Sequence, residues 1–382
     1  MPQPVYLVGG AVRDALLGRH RQDFDLDFVV PENAVQTAKK IANYYQAGFV
    51  ILDAQRGIAR VVFPQGTLDF AQQEGDSLET DLRRRDFTIN AIAYNPRTEE
   101  LIDPLQGQRD LEKGWLKMVS PGNLADDPLR LLRGYRQASQ LNFTIEPETR
   151  STIRALVPKL ADVAPERIQA ELNYLLNSPQ ASYWLKAAAE DGLLSLWLGE
   201  IDYHSLARLG KIDAAAKLCP ELPQAQLSLA KLACLVSPQI EEAQSQLQRL
   251  KYSRTEIKTI SVAIKYLPRL LTLESSPLPP KEQYFFFRGV EDVFPTVAVL
   301  AVAAGARKEA ITPLIAAYLN PENQAAHPTP LVTGNDLMES LNLPPSRKIG
   351  QLLTEIQVAR VEGKIKTPEE ALQFALSLLG KN

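Results

Sequence analysis

Two aspartates one residue apart, Asp25 and Asp27, stand in an otherwise apolar stretch, Asp23-Phe24-Asp25-Leu26-Asp27-Phe28-Val29-Val30. On a β-strand, residues i and i+2 project from the same face. The spacing therefore brings both carboxylates together while Leu26 and Phe28 pack inward. Like charges this close repel and raise one another's pKa. A cation compensates them, and oxygen ligands at this density suit Mg²⁺, which takes one or two carboxylates plus substrate phosphates. A solvated acidic strand end is the plainer alternative, made less attractive by the interleaved apolar residues. Asp23 offers the register Asp23 and Asp25 instead. The direct continuation into Phe28-Val29-Val30 favours Asp25 and Asp27. Asp69, in Gly66-Thr67-Leu68-Asp69-Phe70, has the same apolar flanks and is a third candidate. Three carboxylates bridging two Mg²⁺ ions would activate a ribose 3′-hydroxyl and stabilise a pyrophosphate leaving group. Taken alone, Asp69 could equally be an ordinary strand-end acid.

Other residues suit anions. Leu7-Val8-Gly9-Gly10-Ala11-Val12-Arg13-Asp14 places two glycines between a strand and a helix. Such a turn can present backbone N–H groups to a phosphate, with Arg13 one turn in. It can also be no more than a tight turn, and it lacks the third glycine and the following acid of the dinucleotide fingerprint. Arg83-Arg84-Arg85-Asp86-Phe87-Thr88-Ile89-Asn90 precedes an apolar segment, Ala91 to Tyr94, that reads as a helix. The three arginines either form a solvated face or hold a triphosphate, whose oxygens match the guanidinium fork. Asp126-Asp127-Pro128-Leu129-Arg130 opens a longer helix. Asp127 suits an N-cap and Pro128 the first helical position. Arg130, Arg133 and Arg136 share one helix face, where three like charges call for an anionic ligand. A carboxylate and a guanidinium one turn apart also form an accepting and donating edge complementary to a nucleobase.

These residues must be positioned by two kinds of structure. The first 115 or so residues alternate between strand and helix patterns: strands at Val5 to Val8, Leu26 to Val30, Phe49 to Leu52, Ala59 to Phe63 and Thr67 to Phe70, with helices at Ala11 to Leu17 and Asn33 to Tyr45. This predicts a small α/β domain with a mixed or antiparallel sheet. From Pro128 onward the 3.6-residue period dominates: Leu129 to Leu141, Thr149 to Val157, Pro165 to Leu176, Tyr183 to Asp191, Gln224 to Val236, Ile240 to Leu250, Thr255 to Leu267, Ile349 to Glu362 and Pro368 to Leu379. Breakers stand at Ser276-Pro277-Leu278-Pro279-Pro280 and at Pro328 to Leu331. The expected divisions are a catalytic head over 1–120, a helical neck over 121–178, a helical body over 179–276 and a helical tail over 277–382.

Composition excludes several classes. The 382 residues are 45% hydrophobic and 23% charged, ordinary values for a globular protein. No apolar run is long enough to span a membrane. Met1-Pro2-Gln3-Pro4 has no basic start and no signal core, which implies a cytoplasmic protein. Cys219 and Cys234 are too few for a disulfide framework, and His20, His204 and His327 make no zinc-ligand pair. The net charge of −3 excludes a protein that works by general electrostatic coating of nucleic acid, so any nucleic-acid contact must come from a local patch.

The ordered motif set resembles, nearly end to end, the class II tRNA nucleotidyltransferases, the family of CCA-adding enzymes and bacterial poly(A) polymerases. Leu7 to Gly18 with Asp25 and Asp27 resembles the family's first motif, and Arg84-Arg85-Asp86-Phe87-Thr88-Ile89-Asn90-Ala91 its second. Leu101-Ile102-Asp103-Pro104 through Gly107, Asp110 and Leu111 resembles the connecting motif. Asp126-Asp127-Pro128-Leu129-Arg130 resembles the nucleotide-selecting motif, and Pro165-Glu166-Arg167-Ile168 with Glu171-Leu172 the neck motif. In the tail, Thr333 to Leu337 and Ile349 to Leu353 are also similar. The resemblance implies an α+β protein: a polymerase-beta-like nucleotidyltransferase head followed by an all-helical neck, body and tail. It implies that Asp25 and Asp27 bind Mg²⁺ with Asp69 as third carboxylate. Gly9, Gly10, Arg13, Arg85, Asp86 and Asn90 would serve the nucleotide. Asp127 and Arg130 would pair with the base of CTP or ATP, supported by Arg133 and Arg136. The RNA would be a tRNA acceptor arm, clamped by the helical body and tail.

Two departures from the family pattern bear on function. Position 126 is Asp where the family usually has Glu. The stretch from Asp69 to Asp81 is short, which resembles CC-adding members and implies a companion A-adding enzyme. An A-adding enzyme, a poly(A) polymerase of the same family and a non-catalytic RNA-binding protein remain the alternatives. The last predicts loss of the acidic cluster, whereas Asp25, Asp27 and Asp69 all remain.

Overall fold

The computed structural model describes residues 3–19, 23–219, 222–274 and 278–380. Met1, Pro2, His20 and the Ser276-Pro277 half of the first breaker lie outside them. The chain divides into two compact units, Met1–Leu196 and Trp197–Asn382. The expected boundaries near 120 and 178 both fall inside the first unit.

The first unit opens with β1 (Tyr6–Val8), α1 (Gly10–Leu16), β2 (Phe24–Val30), α2 (Ala34–Tyr45), β3 (Gly48–Asp53), β4 (Ile58–Phe63) and β5 (Gly66–Gln72). It continues with α3 (Leu78–Leu82), a 3₁₀ turn at Thr88–Asn90, β6 (Ala93–Asn95), β7 (Glu100–Ile102) and α4 (Gly107–Lys113). Next come β8 (Trp115–Leu116), α5 (Pro121–Asp126), α6 (Leu129–Leu141), β9 (Thr144–Ile145), α7 (Pro147–Leu156), α8 (Pro165–Leu176) and α9 (Ala181–Glu190). Strands β1 to β7 form one mixed sheet in the order β3-β4-β5-β2-β1-β6-β7. Only β2 and β5 run parallel; the other neighbours are antiparallel. The small residues Ala34, Ala38 and Ala42 recur every four positions along α2 and let that helix lie close on Val30, Ala59, Val61 and Phe70. Because strand side chains alternate, α2 takes one face of the sheet and leaves Asp25, Asp27, Arg60 and Asp69 on the other.

The helix expected over Ala91 to Tyr94 is not formed. Those residues leave the 3₁₀ turn and enter β6, where Ala93 pairs with Val8 and Tyr94 with Leu7. A buried run this short carries no usable period, and sheet pairing decides it. The head and neck are tied by the parallel pair β8 and β9, which joins Trp115 to Thr144.

Helix α10 (Ser195–Leu198) lies at the boundary. The second unit holds α11 (Tyr203–Leu209), α12 (Ile212–Ala216), α13 (Gln224–Ala233), α14 (Ile240–Arg249), α15 (Arg254–Leu271) and α16 (Pro280–Val290). It ends with α17 (Phe294–Ala303), α18 (Lys308–Leu319), α19 (Gly334–Leu341), α20 (Arg347–Val361) and α21 (Pro368–Leu379). Helix α17 escaped the periodicity reading because it is buried nearly all round, so it shows no polar face. Leu337, Ile349, Leu352, Ile356 and Ala371 form a separate core under α19 to α21. Among the described residues no helix is long and apolar enough to cross a membrane.

Candidate functional site

The antiparallel register of β1 and β2 sets Val8 opposite Asp27, so the turn after β1 lies beside the acids. Gly9 adopts φ 73° and ψ −136°, a backbone conformation that favours glycine. A Cβ there would stand 3.3 Å from Arg85 Nη1 and 3.4 Å from Asp27 Oδ2. Turn, guanidinium and carboxylate are thus packed together. A cleft of about 260 Å³ opens here, lined by Gly10, Asp14, Asp23, Asp25 and Asp27. Asp23 precedes β2, whereas Asp25 and Asp27 are both carried on the strand.

The three acids have different surroundings. Thr67 Oγ1 donates to Asp25 Oδ1 at 2.6 Å. Asp69 lies opposite Asp27 in the parallel ladder, but its carboxylate is clasped by Arg60 of β4, with Nε to Oδ1 at 2.7 Å and Nη2 to Oδ2 at 2.8 Å. Asp27 keeps a solvent-facing edge, yet crowding by protein atoms pushes its carboxyl up to about 6. The charges of Asp69 and Asp25 add to that rise, and Arg85 and Arg60 oppose it. Among the described residues no group of three or more His, Cys, Asp or Glu side chains is gathered as a metal cage. Asp25 and Asp27 fit a hard divalent cation that completes its shell with water and phosphate: two hard oxygen donors on one face, with charge unrelieved at Asp27. Asp69, with both oxygens held by Arg60, does not join that pair here.

The anion-binding candidates separate in the same way. Arg85 reaches the Gly9 turn; its Nη2 donates to Asp81 at 3.3 Å, and its buried Nε has no hydrogen-bond partner. Burial pushes the Asp81 carboxyl up, with Arg85 pulling it back down. Arg13 does not project freely into the cleft. It is tied to Asp14 Oδ1 through Nε (2.9 Å) and Nη2 (2.7 Å), and to Asn90 Oδ1 through Nη1 (2.7 Å). Asn90 in turn donates to Asp86 and to Gln137 of α6, both at 2.9 Å. Asp86 and Asn90 are buried, so they brace Arg13 and the neck helix from behind. The arginine run has three fates: Arg83 pairs with Glu79 on the surface, Arg84 with Glu74, and Arg85 faces the acids.

Arg84 looks into a second cleft of about 350 Å³, lined with Arg56, Glu74, Asp127, Arg130 and Arg167. Helix α5 ends at Asp126, and Pro128 occupies the N-cap position of α6 without Asp127 capping it through its side chain. The N-cap expected at Asp127 is therefore not made, and its carboxylate faces charges instead. Arg167 Nη2 lies 3.2 Å from Oδ1 and 3.3 Å from Oδ2. Arg130 Nε is 3.9 Å away, while Arg130 Nη1 donates to the carbonyls of Arg84 (3.0 Å) and Asn123 (2.9 Å). Further along α6, Arg133 and Arg136 meet the buried Glu171 of α8, at 3.4 and 2.6 Å, and Arg133 also approaches Asp86. The charged face of α6, expected to need a ligand, is largely compensated from within the chain.

Sequence reasoning assigned no role to Arg60, Glu74, Asp81 or Gln137. Arg60 had a weak signal, as the lone charge in Ile58-Ala59-Arg60-Val61-Val62, and Asp81 had the i,i+4 spacing to Arg85; Glu74 and Gln137 had none, because their partners Arg84 and Asn90 lie further off along the chain.

Comparisons with known proteins cover almost the whole chain. Residues 5–117 match the family described as "Poly A polymerase head domain", 142–204 the family described as "Probable RNA and SrmB-binding site of polymerase A", and 221–375 the family described as "tRNA nucleotidyltransferase domain 2 putative". A CC-adding tRNA nucleotidyltransferase of Synechocystis sp. is 50% identical, across 99% of this chain and 94% of the relative. A second, from Geobacter sulfurreducens, is 31% identical over 97% and 90%. An A-adding tRNA nucleotidyltransferase of Deinococcus radiodurans is 31% identical over 98% and 95%. In fold, the chain is similar to a CCA-adding enzyme solved with CTP, with a TM-score of 0.81 over 99% of this chain and 92% of that one, at 24% identity.

Proposed function

The chain belongs to the tRNA nucleotidyltransferase family with a poly(A) polymerase head, and on that premise we propose that it adds cytidylates to the 3′ end of tRNA from CTP without a nucleic-acid template. The observation that carries this reading is the Asp25–Asp27 pair, set beside the Gly9 turn and Arg85 at a cleft on the sheet face opposite α2. The tRNA 3′-hydroxyl attacks the α-phosphorus of CTP, a new phosphodiester bond forms, and pyrophosphate leaves. Asp25 and Asp27 would hold Mg²⁺, which supplies charge neutralisation of the triphosphate and acidifies the attacking hydroxyl. Arg85 takes triphosphate oxygens at the Gly9-Gly10 turn. Asp69 is assigned as the third carboxylate, kept by Arg60 until substrate arrives. Arg13, held by Asp14 and Asn90, stiffens the turn.

Asp127 and Arg130 read the base. Cytosine presents an amino donor next to a ring-nitrogen acceptor, and a carboxylate beside a guanidinium complements that edge. Arg133 and Arg136, anchored on Glu171, support the helix that carries Arg130. We assign the neck, body and tail helices to the acceptor arm of the tRNA. The tight loop Gln73–Ser77 supports the CC-adding reading: Glu74 N donates to Asp81 Oδ1 at 3.1 Å, which ties down the stretch from Asp69 to Asp81. A companion enzyme would then add the terminal adenylate, and the reaction belongs in the cytoplasm, where tRNA matures.

The test is incorporation from single nucleotides onto tRNA ending at the discriminator base, at C, or at CC. Two cytidylates and no adenylate are expected. One adenylate added only to the CC end would favour the A-adding reading suggested by the Deinococcus relative. Long A tails on any RNA would refute the assignment to tRNA.

A further inference from the structure

The proposed base-reading edge leaves one question: what keeps the Asp127 carboxylate in place. Its own helices do not. Helix α5 has ended, α6 has not begun, and Arg130 Nε stays 3.9 Å away with its Nη1 committed to two carbonyls. The closest cation among the described residues is Arg167 on α8, and it uses one nitrogen, Nη2, for both carboxylate oxygens. The geometry points to Arg167 as a positioning residue that sets nucleobase specificity, by fixing Asp127 so that its free lone pairs face the amino group of the incoming base.

The chemistry is simple. An ionised carboxylate has about four lone-pair sites. One shared N–H partner leaves several of them open for an amino donor. Cytosine offers such a donor, whereas uracil offers a carbonyl oxygen at the same place. A fixed carboxylate accepts from the first and repels the second. A carboxylate free to rotate can swing aside, and the nearby guanidiniums of Arg130 and Arg84 could then donate to the uracil oxygen. Arg167 is thus expected to govern discrimination more than rate. Its loss should not undo the packing of α8 on α6, because Glu171, one turn further on, clasps Arg133 and Arg136 independently. Since the contact uses one nitrogen rather than a bidentate fork, lysine should replace it.

This inference rests on the base-reading role of Asp127 proposed above, and the experiment separates the two. The kcat/KM values for CTP and UTP are measured on tRNA ending at the discriminator base, for the full-length chain and for Arg167→Ala, Arg167→Lys and Asp127→Asn. The CTP-to-UTP preference should fall at least about 10-fold in Arg167→Ala, as for a lost polar contact that discriminates substrates, and recover in Arg167→Lys. If both rates drop together with the ratio intact, Arg167 is only structural and the inference is wrong. If CTP binds more tightly to Arg167→Ala, Arg167 competes with the base and the inference is also wrong. A ratio unmoved by Asp127→Asn would sink the base-reading role itself, whereas a ratio relaxed by Asp127→Asn but not by Arg167→Ala would sink only this step.

Discussion

Asp27 and Asp69 are direct neighbours across the parallel β2–β5 ladder, yet Asp69 has a bidentate partner in Arg60 while Asp27 meets no cation at ion-pair distance among the described residues. The charge left unpaired at Asp27 is the feature on which catalysis is proposed to draw, and it has a cost in the metal-free protein.

That cost depends on pH. The folded Asp27 carboxyl is raised from 3.8 to about 6, so between these values the native state binds more protons than the unfolded one. The penalty is absent below the unfolded value and fully developed above about 6. Asp27→Asn should therefore stabilise the protein in EDTA at pH 7.5 and lose that advantage toward pH 4. The side chain is solvent-facing, so the gain is on the order of 1 kcal/mol or less once screening is allowed for. Urea melts of both proteins at the two pH values check this. A gain of equal size at pH 4 would contradict it.

Removing either strand acid should abolish turnover without unfolding the chain. Asp25→Ala and Asp27→Ala are expected to lower Mg²⁺-dependent CMP incorporation by more than about 100-fold, the scale of losing one preorganised electrostatic contact to a transition state. EDTA should silence the parent protein equally. Incorporation that persists in both variants would remove these residues from the catalytic centre.

Gly9 is constrained by its φ of 73° and by the two groups a side chain would meet. With ψ at −136°, Gly9 lies outside the left-handed helical region in which other residues are tolerated, and Gly9→Ala should cost about 1–3 kcal/mol from the backbone alone. It should also push Arg85 and Asp27 apart. The expected signature is a raised KM for CTP together with a lower kcat, measured in steady state. Gly18→Ala, at φ 66° with open space around it, should share the strain and spare the kinetics.

Asp191 is fully buried and accepts from the Tyr135 hydroxyl, from Arg150 Nε at 2.6 Å and from Arg154 Nε at 2.6 Å. Burial alone would raise its carboxyl, but the Arg150, Tyr135 and Arg154 hydrogen bonds outweigh it and hold the group below its usual range. Its stabilising contribution is present above the unfolded value and lost as the pH falls through the folded one. Asp191→Ala leaves the buried Tyr135 hydroxyl unpaired and should cost about 3 kcal/mol. Chemical denaturation at pH 7 tests the size, and a change below about 0.5 kcal/mol would show that the cluster is not a stability element.

The sequence by itself determined the chemistry that could be done and the elements that carry it. Alternation placed Asp25 and Asp27 on one face, because strand periodicity is a local property of the backbone. The 3.6-residue pattern gave the boundaries of Leu129–Leu141 and Pro165–Leu176 as they stand. Where local signals were short or ambiguous they failed: the helix expected over Ala91 to Tyr94 gave way to an irregular link into β6 at Ala93, and α17 showed no amphipathic period. The tertiary structure alone decided which charges remain available. Arg60 reaches Asp69 across a register, Glu171 reaches Arg133 and Arg136 from another helix, and Arg167 takes the Asp127 carboxylate from its expected cap. Each of these pairings depends on where a long side chain ends in space, which the order of residues along the chain does not encode until the elements have packed.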